Sequence, residues 1–207
     1  MIRKRPKLTL VGPESKPSLP APHFSSDRLA SVATLSEARA DLLSDENITK
    51  GAWELRRLAE KGEDISSVLP SIPPRLRFAI KNKLQAKVYL TDVLLILAKE
   101  GADIGPALSV APACLSDDDF HVRNRMLLAL GHCCGFGGDI SDFIETVVPY
   151  LGDVAPGNRE AAVWTLNVYA SRGKHEAHHL LMSLGPEGLD DVNSADVRMT
   201  CLRVLKG

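Results

Sequence analysis

Large apolar and small residues recur along this 207-residue chain at a nearly constant interval. Leucines lie 39, 36, 36 and 39 residues apart, at Leu55, Leu94, Leu130, Leu166 and Leu205. A small residue follows four positions after each of the first four, at Ala59, Ala98, Cys134 and Ala170. A spacing of four places both residues on one side of a helix, where close helix–helix packing requires them. The pattern therefore predicts a stack of helical repeats.

Glycine and aspartate mark the ends and starts of the predicted helices. The glycines are Gly62, Gly101, Gly137 and Gly173. Glycine is preferred just past a helix C-terminus, because the left-handed conformation costs it little. Two residues after each of the first three glycines comes Asp-Ile, and aspartate is a favoured N-cap. One helix is thus predicted to end, and another to begin, within two residues.

These signals predict pairs of helices that follow an N-terminal capping helix at 27–44. The first helices of the pairs are predicted at 64–72, 103–115, 139–151 and 174–184. The second helices are predicted at 47–61, 120–135, 157–172 and 195–206, with another ending before Gly101.

Basic residues near the start of the later second helices follow acidic turns. Asp117-Asp118-Asp119 precedes Val122-Arg123, Asp153 precedes Arg159, and Asp190-Asp191 precedes Val197-Arg198. Over roughly residues 46–207 this pattern resembles the HEAT-repeat family and its bacterial relatives. The resemblance implies an all-α fold, an α-α superhelix that forms a short HEAT-like solenoid of about four helical hairpins. It also implies a cytoplasmic adaptor or immunity-type protein that wraps a protein partner, although a fold alone does not define a function.

The N-terminal segment differs in composition from the rest of the chain. Residues 1–26 contain five of the thirteen prolines, and residues 1–28 carry six bases and two acids, a net charge of +4. The remainder is therefore −1 − 4 = −5. We predict a flexible basic Pro-rich arm over 1–26 and a HEAT-like helical-repeat domain over 27–207. The open alternative is that the arm docks on a partner or contacts nucleic acid.

Signals for membrane insertion and secretion are missing from the sequence. No run of about 18 apolar residues occurs, and no apolar segment follows the basic N-terminal residues. Four cysteines in 207 residues do not suggest a disulfide framework. We therefore expect a reduced, cytoplasmic protein with no membrane contact.

The candidates for metal binding and catalysis are weak. Cys133 and Cys134 take the places of a leucine and an alanine in the repeat, which predicts structural cysteines. His175 and His179 lie four residues apart, as two metal ligands on a helix would, but His175 falls on the aspartate position of the repeat. No phosphate loop or activated nucleophile matches a known signature. We predict no metal, no cofactor and no enzymatic activity; a HEAT-like enzyme such as a chromophore lyase is the remaining alternative.

One position of the repeat interrupts the apolar pattern of the second helices. Its members are Trp53, Asp92, Leu128, Trp164 and Arg203. Second helices of stacked repeats usually form the inner, concave wall, and exposed Trp, Tyr and Arg are enriched at interface hot spots. The predicted partner-binding residues are Trp53, Tyr89, Asp92, Asn124, Arg125, Glu160, Trp164 and Arg203. The alternative is that both tryptophans pack between helices.

A basic run supports a second function class. Arg75, Arg77, Lys81, Lys83 and Lys87 are five bases in thirteen residues that contain no acid. The run is either a solvated helix face or an anion-binding patch of a nucleic-acid-binding protein. The apolar last helix leaves a third question open, since it is either shielded by its own repeat or self-associates with a second subunit.

Overall fold

The computed structural model describes residues 34–172, and every regular element among them is helical. The α-helices of this region are α1 (Leu35–Leu43), α2 (Ile48–Glu60), α3 (Ile72–Lys81), α4 (Ala86–Lys99), α5 (Ala111–Leu115), α6 (Phe120–Gly135), α7 (Ile144–Val147) and α8 (Pro156–Ser171). Short 3-10 helices lie at Ser66–Ser71, Gly105–Val110, Ser141–Phe143 and Val148–Gly152. The all-α class is confirmed for this part of the chain. No helix within it is long and apolar enough to cross a membrane.

The glycines end helices α2, α4 and α6 as predicted. Gly62, Gly101 and Gly137 have φ angles of 76°, 81° and 103°, in the left-handed region. After α2, the N–H of Gly62 donates to the carbonyl of Ala59, and the N–H of Glu63 donates to that of Leu58. These two bonds form a Schellman motif, and the same pair closes α4 and α6.

The aspartates of the Asp-Ile pairs start turns but are not the predicted N-caps, since the isoleucine is the residue that directly precedes each 3-10 helix. Asp64, Asp103 and Asp139 each accept a hydrogen bond from the N–H two residues further on, at 2.9 to 3.0 Å. The isoleucine that follows each of them is buried, at Ile65, Ile104 and Ile140. Each pair therefore starts a turn and directs an apolar side chain into the core.

The first helices of the pairs differ from the prediction. The region 64–72 is mainly a 3-10 helix, and α3 begins only at its end. The regions 103–115 and 139–151 are likewise divided between 3-10 turns and the short helices α5 and α7. Prolines at 70, 106, 112 and 149 explain this, because proline lacks the N–H that an α-helix interior requires. The tighter 3-10 turn is used in such short pieces.

The second helices pack against one another in chain order. Helix α2 contacts α4, α4 contacts α6, and α6 contacts α8, while α1 covers the other side of α2. The leucines of the predicted column are fully buried where they are described: Leu55, Leu94, Leu130 and Leu166 are each 0% exposed. Burying one leucine contributes about 1.5–3 kcal/mol. The column is therefore a main source of stability for the packed helices.

Ion pairs join neighbouring repeats near the starts of the second helices. Lys87 Nζ lies 2.6 Å from Asp117 Oδ1, and Arg123 Nε lies 2.9 Å from Asp153 Oδ2. Arg123 also donates to the carbonyls of Asp117 and Asp118. Burial raises the pKa of Asp153, but hydrogen bonds from Arg123, the N–H of Ala155 and Asn158 outweigh it, and the pKa is lowered overall. The Asp-to-Arg pattern thus has a structural role between repeats.

Several sequence predictions lie outside the described residues. These are the arm at 1–26, the helices at 174–184 and 195–206 with the proposed self-association, Gly173, Arg198, Arg203, Leu205, His175 and His179.

Candidate functional site

Seven of the eight predicted partner-binding residues lie on four helices that pack in succession. Trp53 is on α2, Tyr89 and Asp92 are on α4, Asn124 and Arg125 are on α6, and Glu160 and Trp164 are on α8. Arg203 lies outside residues 34–172. Partly buried side chains of α2, α6 and α8 form a surface that we call the α2–α8 strip, defined by Trp53, Arg56, Arg57, Arg125, His132 and Trp164.

A buried carboxylate lies at the centre of the strip. The Nε of Arg125 on α6 donates to Oδ1 of Asp92, and the Nε of Arg56 on α2 lies 3.3 Å from Oδ2. Asp92 is only 7% exposed. Its buried carboxylate lies between the guanidiniums of two neighbouring helices, α2 and α6. Burial raises the pKa of Asp92, and the two guanidiniums offset this only in part.

The outer ends of both arginines have further partners. Arg56 Nη2 lies 2.7 Å from Oε1 of Glu60, and its guanidinium is 6.0 Å from the Tyr89 ring centroid. Arg125 Nη1 lies 3.1 Å from Nδ1 of His121. Burial lowers the pKa of His121, and the charge of Arg125 lowers it further.

Each tryptophan of the strip is partly buried against a neighbouring side chain or helix. The Arg57 guanidinium lies 5.4 Å from the Trp53 ring centroid, and Arg57 also pairs with Glu54 at 3.1 Å. Trp164 lies against Gly131 of α6, where an added Cβ would be 2.2 Å from the indole. Neither alternative for the tryptophans, exposed or packed between helices, describes them fully. Each ring is partly packed and partly open to solvent.

The Trp164 ring has an imidazole beside it. The ring centroids of His132 and Trp164 are 4.7 Å apart. Burial lowers the pKa of His132 to about 4, and the nearby charge of Lys99 acts in the same direction. His132 is consequently neutral at physiological pH.

The remaining predicted residues differ in what they offer a partner. Tyr89 is 1% exposed, so its ring belongs to the core and not to the exposed flank that the sequence pattern predicted. Asn124 Nδ2 donates to the carbonyl of Gly157 at 2.8 Å, which ties α6 to the start of α8. Glu160 is exposed on α8.

Four side chains of the site were not among the sequence predictions: Arg56, Arg57, His121 and His132. A signal for two of them existed, since Arg57 and His132 follow Trp53 and Leu128 by four residues and so share their helix face. Arg56 had a weaker signal in its spacing from Glu60.

The basic run does not assemble into a patch of free cations. Arg75 pairs with Asp45 at 2.8 Å, and Lys87 pairs with Asp117. Arg77 donates to the carbonyl of Ser109, and the exposed Lys81 lies at the end of α3. Lys83 and Lys87 line a cavity of about 540 Å³ together with Asp117, Asp118 and Asp119. Three carboxylates beside two ammonium groups make this cavity a poor site for an anion.

The cysteines of the described region are buried. They are Cys114, Cys133 and Cys134, and the last two occupy core positions as predicted. Burial raises the pKa of Cys133 to about 11, so its thiol is protonated at neutral pH. Between residues 34 and 172 no three His, Cys, Asp or Glu side chains are grouped as metal ligands.

Comparison of the chain with protein-family models, curated proteins and solved structures finds no match.

Proposed function

We propose that this protein is a protein–protein interaction module without catalytic activity, and that the α2–α8 strip is its binding surface. The observation that carries the proposal is that two partly exposed tryptophans and three arginines lie on α2, α6 and α8, three of the four helices that pack in succession. Trp, Tyr and Arg are enriched among the hot-spot residues of protein interfaces. A partner of the adaptor or immunity class is the one that the HEAT-like resemblance implies.

The proposed architecture is a short HEAT-like solenoid in the cytoplasm, with the second helices on its concave side. Its support is the order of contacts, in which α2, α4, α6 and α8 each pack against the next. Helices that pack 8–10 Å apart place Trp53 and Trp164 roughly 25–30 Å from one another. An extended partner segment of about eight residues spans such a distance.

Nucleic-acid binding through the basic run is the weaker alternative. Arg75 and Lys87 already pair with carboxylates, and the cavity beside Lys83 and Lys87 carries a net negative charge. No observation on the strip favours an enzyme over a binding module.

Site-specific photo-crosslinking tests the proposed function. The variant Glu160→p-benzoylphenylalanine places a crosslinker on α8 at an exposed position beside the strip. The matched control, Lys81→p-benzoylphenylalanine, places it at an exposed position on α3. After irradiation in cells that produce the protein, we expect a discrete protein adduct only from position 160. Adducts of equal yield from both positions, or none from either, would contradict the proposal.

The same experiment in a Trp164→Ala background tests the role of the indole. We expect the adduct at position 160 to fall about tenfold or more, because hot-spot tryptophans contribute at least 2 kcal/mol. Trp164→Phe retains an aromatic ring and should keep a larger part of the yield. Melting temperatures of both variants establish that the loss is not a loss of folding.

A further inference from the structure

Four charged side chains meet at the centre of the α2–α8 strip: Arg56, Arg125, Asp92 and Glu60. Arg125 Nε donates a hydrogen bond to Asp92 Oδ1, whereas Arg56 Nε lies 3.3 Å from Oδ2 as an ion pair without a hydrogen bond. The side chains of Arg56, Arg125 and Asp92 are only 16%, 13% and 10% exposed. Asp92 alone balances only one of the two guanidiniums, so a second carboxylate, that of Glu60, balances the other. A buried charge is costly unless a counter-charge lies nearby.

Glu60 is the carboxylate that balances the second guanidinium, and its ion pair with Arg56 is weak. Its Oε1 lies 2.7 Å from Arg56 Nη2 as an i,i+4 pair on α2, and its side chain is 48% exposed. Exposed ion pairs of this kind contribute little to stability. An incoming carboxylate can therefore displace Glu60 from Arg56 at small cost.

Both guanidiniums keep donors for such a carboxylate. In both residues Nε is the atom paired with Asp92, and the Nη atoms are the further donors of each guanidinium. Arg125 Nη1 lies beside His121, and among residues 34–172 no acceptor engages its Nη2. The Tyr89 ring, 6.0 Å from the Arg56 guanidinium, supports that group from the core side.

We propose that Arg56 and Arg125, held in place by Asp92, bind a carboxylate of an acidic segment in the protein partner. The inference rests on the proposed function and names the chemistry that the strip recognises. One incoming carboxylate takes the place of Glu60 as the counter-charge and fits the planar donor fork of a guanidinium.

Binding of a blocked hexaglutamate peptide, measured by calorimetry at low ionic strength, tests the proposal. The matching hexaglutamine peptide is the negative control. Arg125→Gln and Arg56→Gln should each weaken hexaglutamate binding about tenfold or more. Lys81→Gln makes the same change in net charge on α3 and should stay within about twofold of the parent protein. Glu60→Gln removes the competing carboxylate and should strengthen binding about two- to threefold.

A second variant covers the case in which Arg125→Gln fails to fold. Arg125→Gln combined with Asp92→Asn removes both charges of the pair, so that no buried carboxylate is left without its hydrogen-bonded guanidinium. We expect this double variant to fold and to lose hexaglutamate binding to the same extent.

Three results would overturn the inference. They are the absence of hexaglutamate binding, equal losses in Lys81→Gln and Arg125→Gln, and stronger competition by inorganic phosphate or an oligonucleotide than by hexaglutamate. An adduct from position 160 together with any of these would leave the proposed function standing without the carboxylate site.

Discussion

At the scale of single residues, the strip contains several ionisable side chains that are partly buried. Asp92 and His132 show the two consequences, since burial raises the pKa of the carboxyl and lowers the pKa of the imidazole. Both shifts disfavour the charged form of the group. The sequence marked Asp92 by its place in the repeat, whereas the environment of His132 depends on α8 and on Lys99.

The low pKa of His132 predicts a specific pH dependence of stability. Its folded-state pKa of about 4 is below the unfolded value of 6.5, so between these values the unfolded chain binds a proton that the folded chain does not. The contribution of His132 to stability is therefore complete above about pH 6.5 and is lost progressively as the pH falls toward 4. His132→Gln lacks this contribution, and its urea midpoint should fall less between pH 7 and pH 5 than that of the parent protein.

His121→Gln is the control for that measurement, because the pKa of His121 is also lowered, by burial and by Arg125. It should remove a separate part of the pH dependence. Equal slopes for the parent protein and His132→Gln would show that His132 is not held neutral beside Trp164.

At the scale of helices, the local signals predicted where the second helices end better than they predicted the first helices. Gly62, Gly101 and Gly137 end helices because the left-handed turn is a property of a few consecutive residues. Lys83 takes the same turn after α3 without being glycine, and no sequence signal indicated it. The prolines in the first helices were visible, but whether they produce one bent helix or several short turns depends on what packs around them.

The contact between α1 and α2 gives a prediction at this scale. A Cβ added to Gly51 would lie 2.3 Å from the backbone nitrogen of Leu42, so the two helices approach at this glycine. Gly51→Ala should lower the free energy of unfolding by about 2–3 kcal/mol, although alanine favours a helix by about 1 kcal/mol. Chemical denaturation at pH 7 measures the change.

Gly157 in α8 supplies the matched control. Its added Cβ would meet only Asn124 Nδ2, at an ordinary contact distance of 3.6 Å. Gly157→Ala should therefore be neutral or stabilise the protein by up to about 1 kcal/mol. If Gly51→Ala is as stable as Gly157→Ala, the close approach of α1 and α2 is wrong.

At the scale of the whole packed region, α2, α4, α6 and α8 are linked by buried leucines and by charges that bridge repeats. Leu94 on α4 is 0% exposed, and Asp92 on the same helix contacts both α2 and α6. Each helix therefore depends on its neighbours for burial. The two tryptophans, on α2 and α8, report on opposite ends of this stack.

We expect the stack to unfold as one cooperative unit. Thermal unfolding followed by Trp53 fluorescence in Trp164→Phe, and by Trp164 fluorescence in Trp53→Phe, should each give a single transition. Adding Leu94→Ala to either variant should destabilise the protein by about 2–5 kcal/mol and shift both transitions downward by similar amounts. A shift seen by Trp53 and not by Trp164 would show that α8 unfolds separately.

The amino-acid sequence by itself determined the helical class, the ends of the second helices and the buried leucine column. These features depend on a few adjacent residues or on one face of a single helix, so their signals are local. Only the tertiary structure decided which charges meet. Arg125 reaches Asp92 across 33 residues, Lys87 reaches Asp117 across 30, and Tyr89 is buried where its position in the repeat predicted exposure. Residues so far apart in the chain come together only when the helices pack, and this packing defines the α2–α8 strip and pairs Arg75 and Lys87 of the basic run with carboxylates.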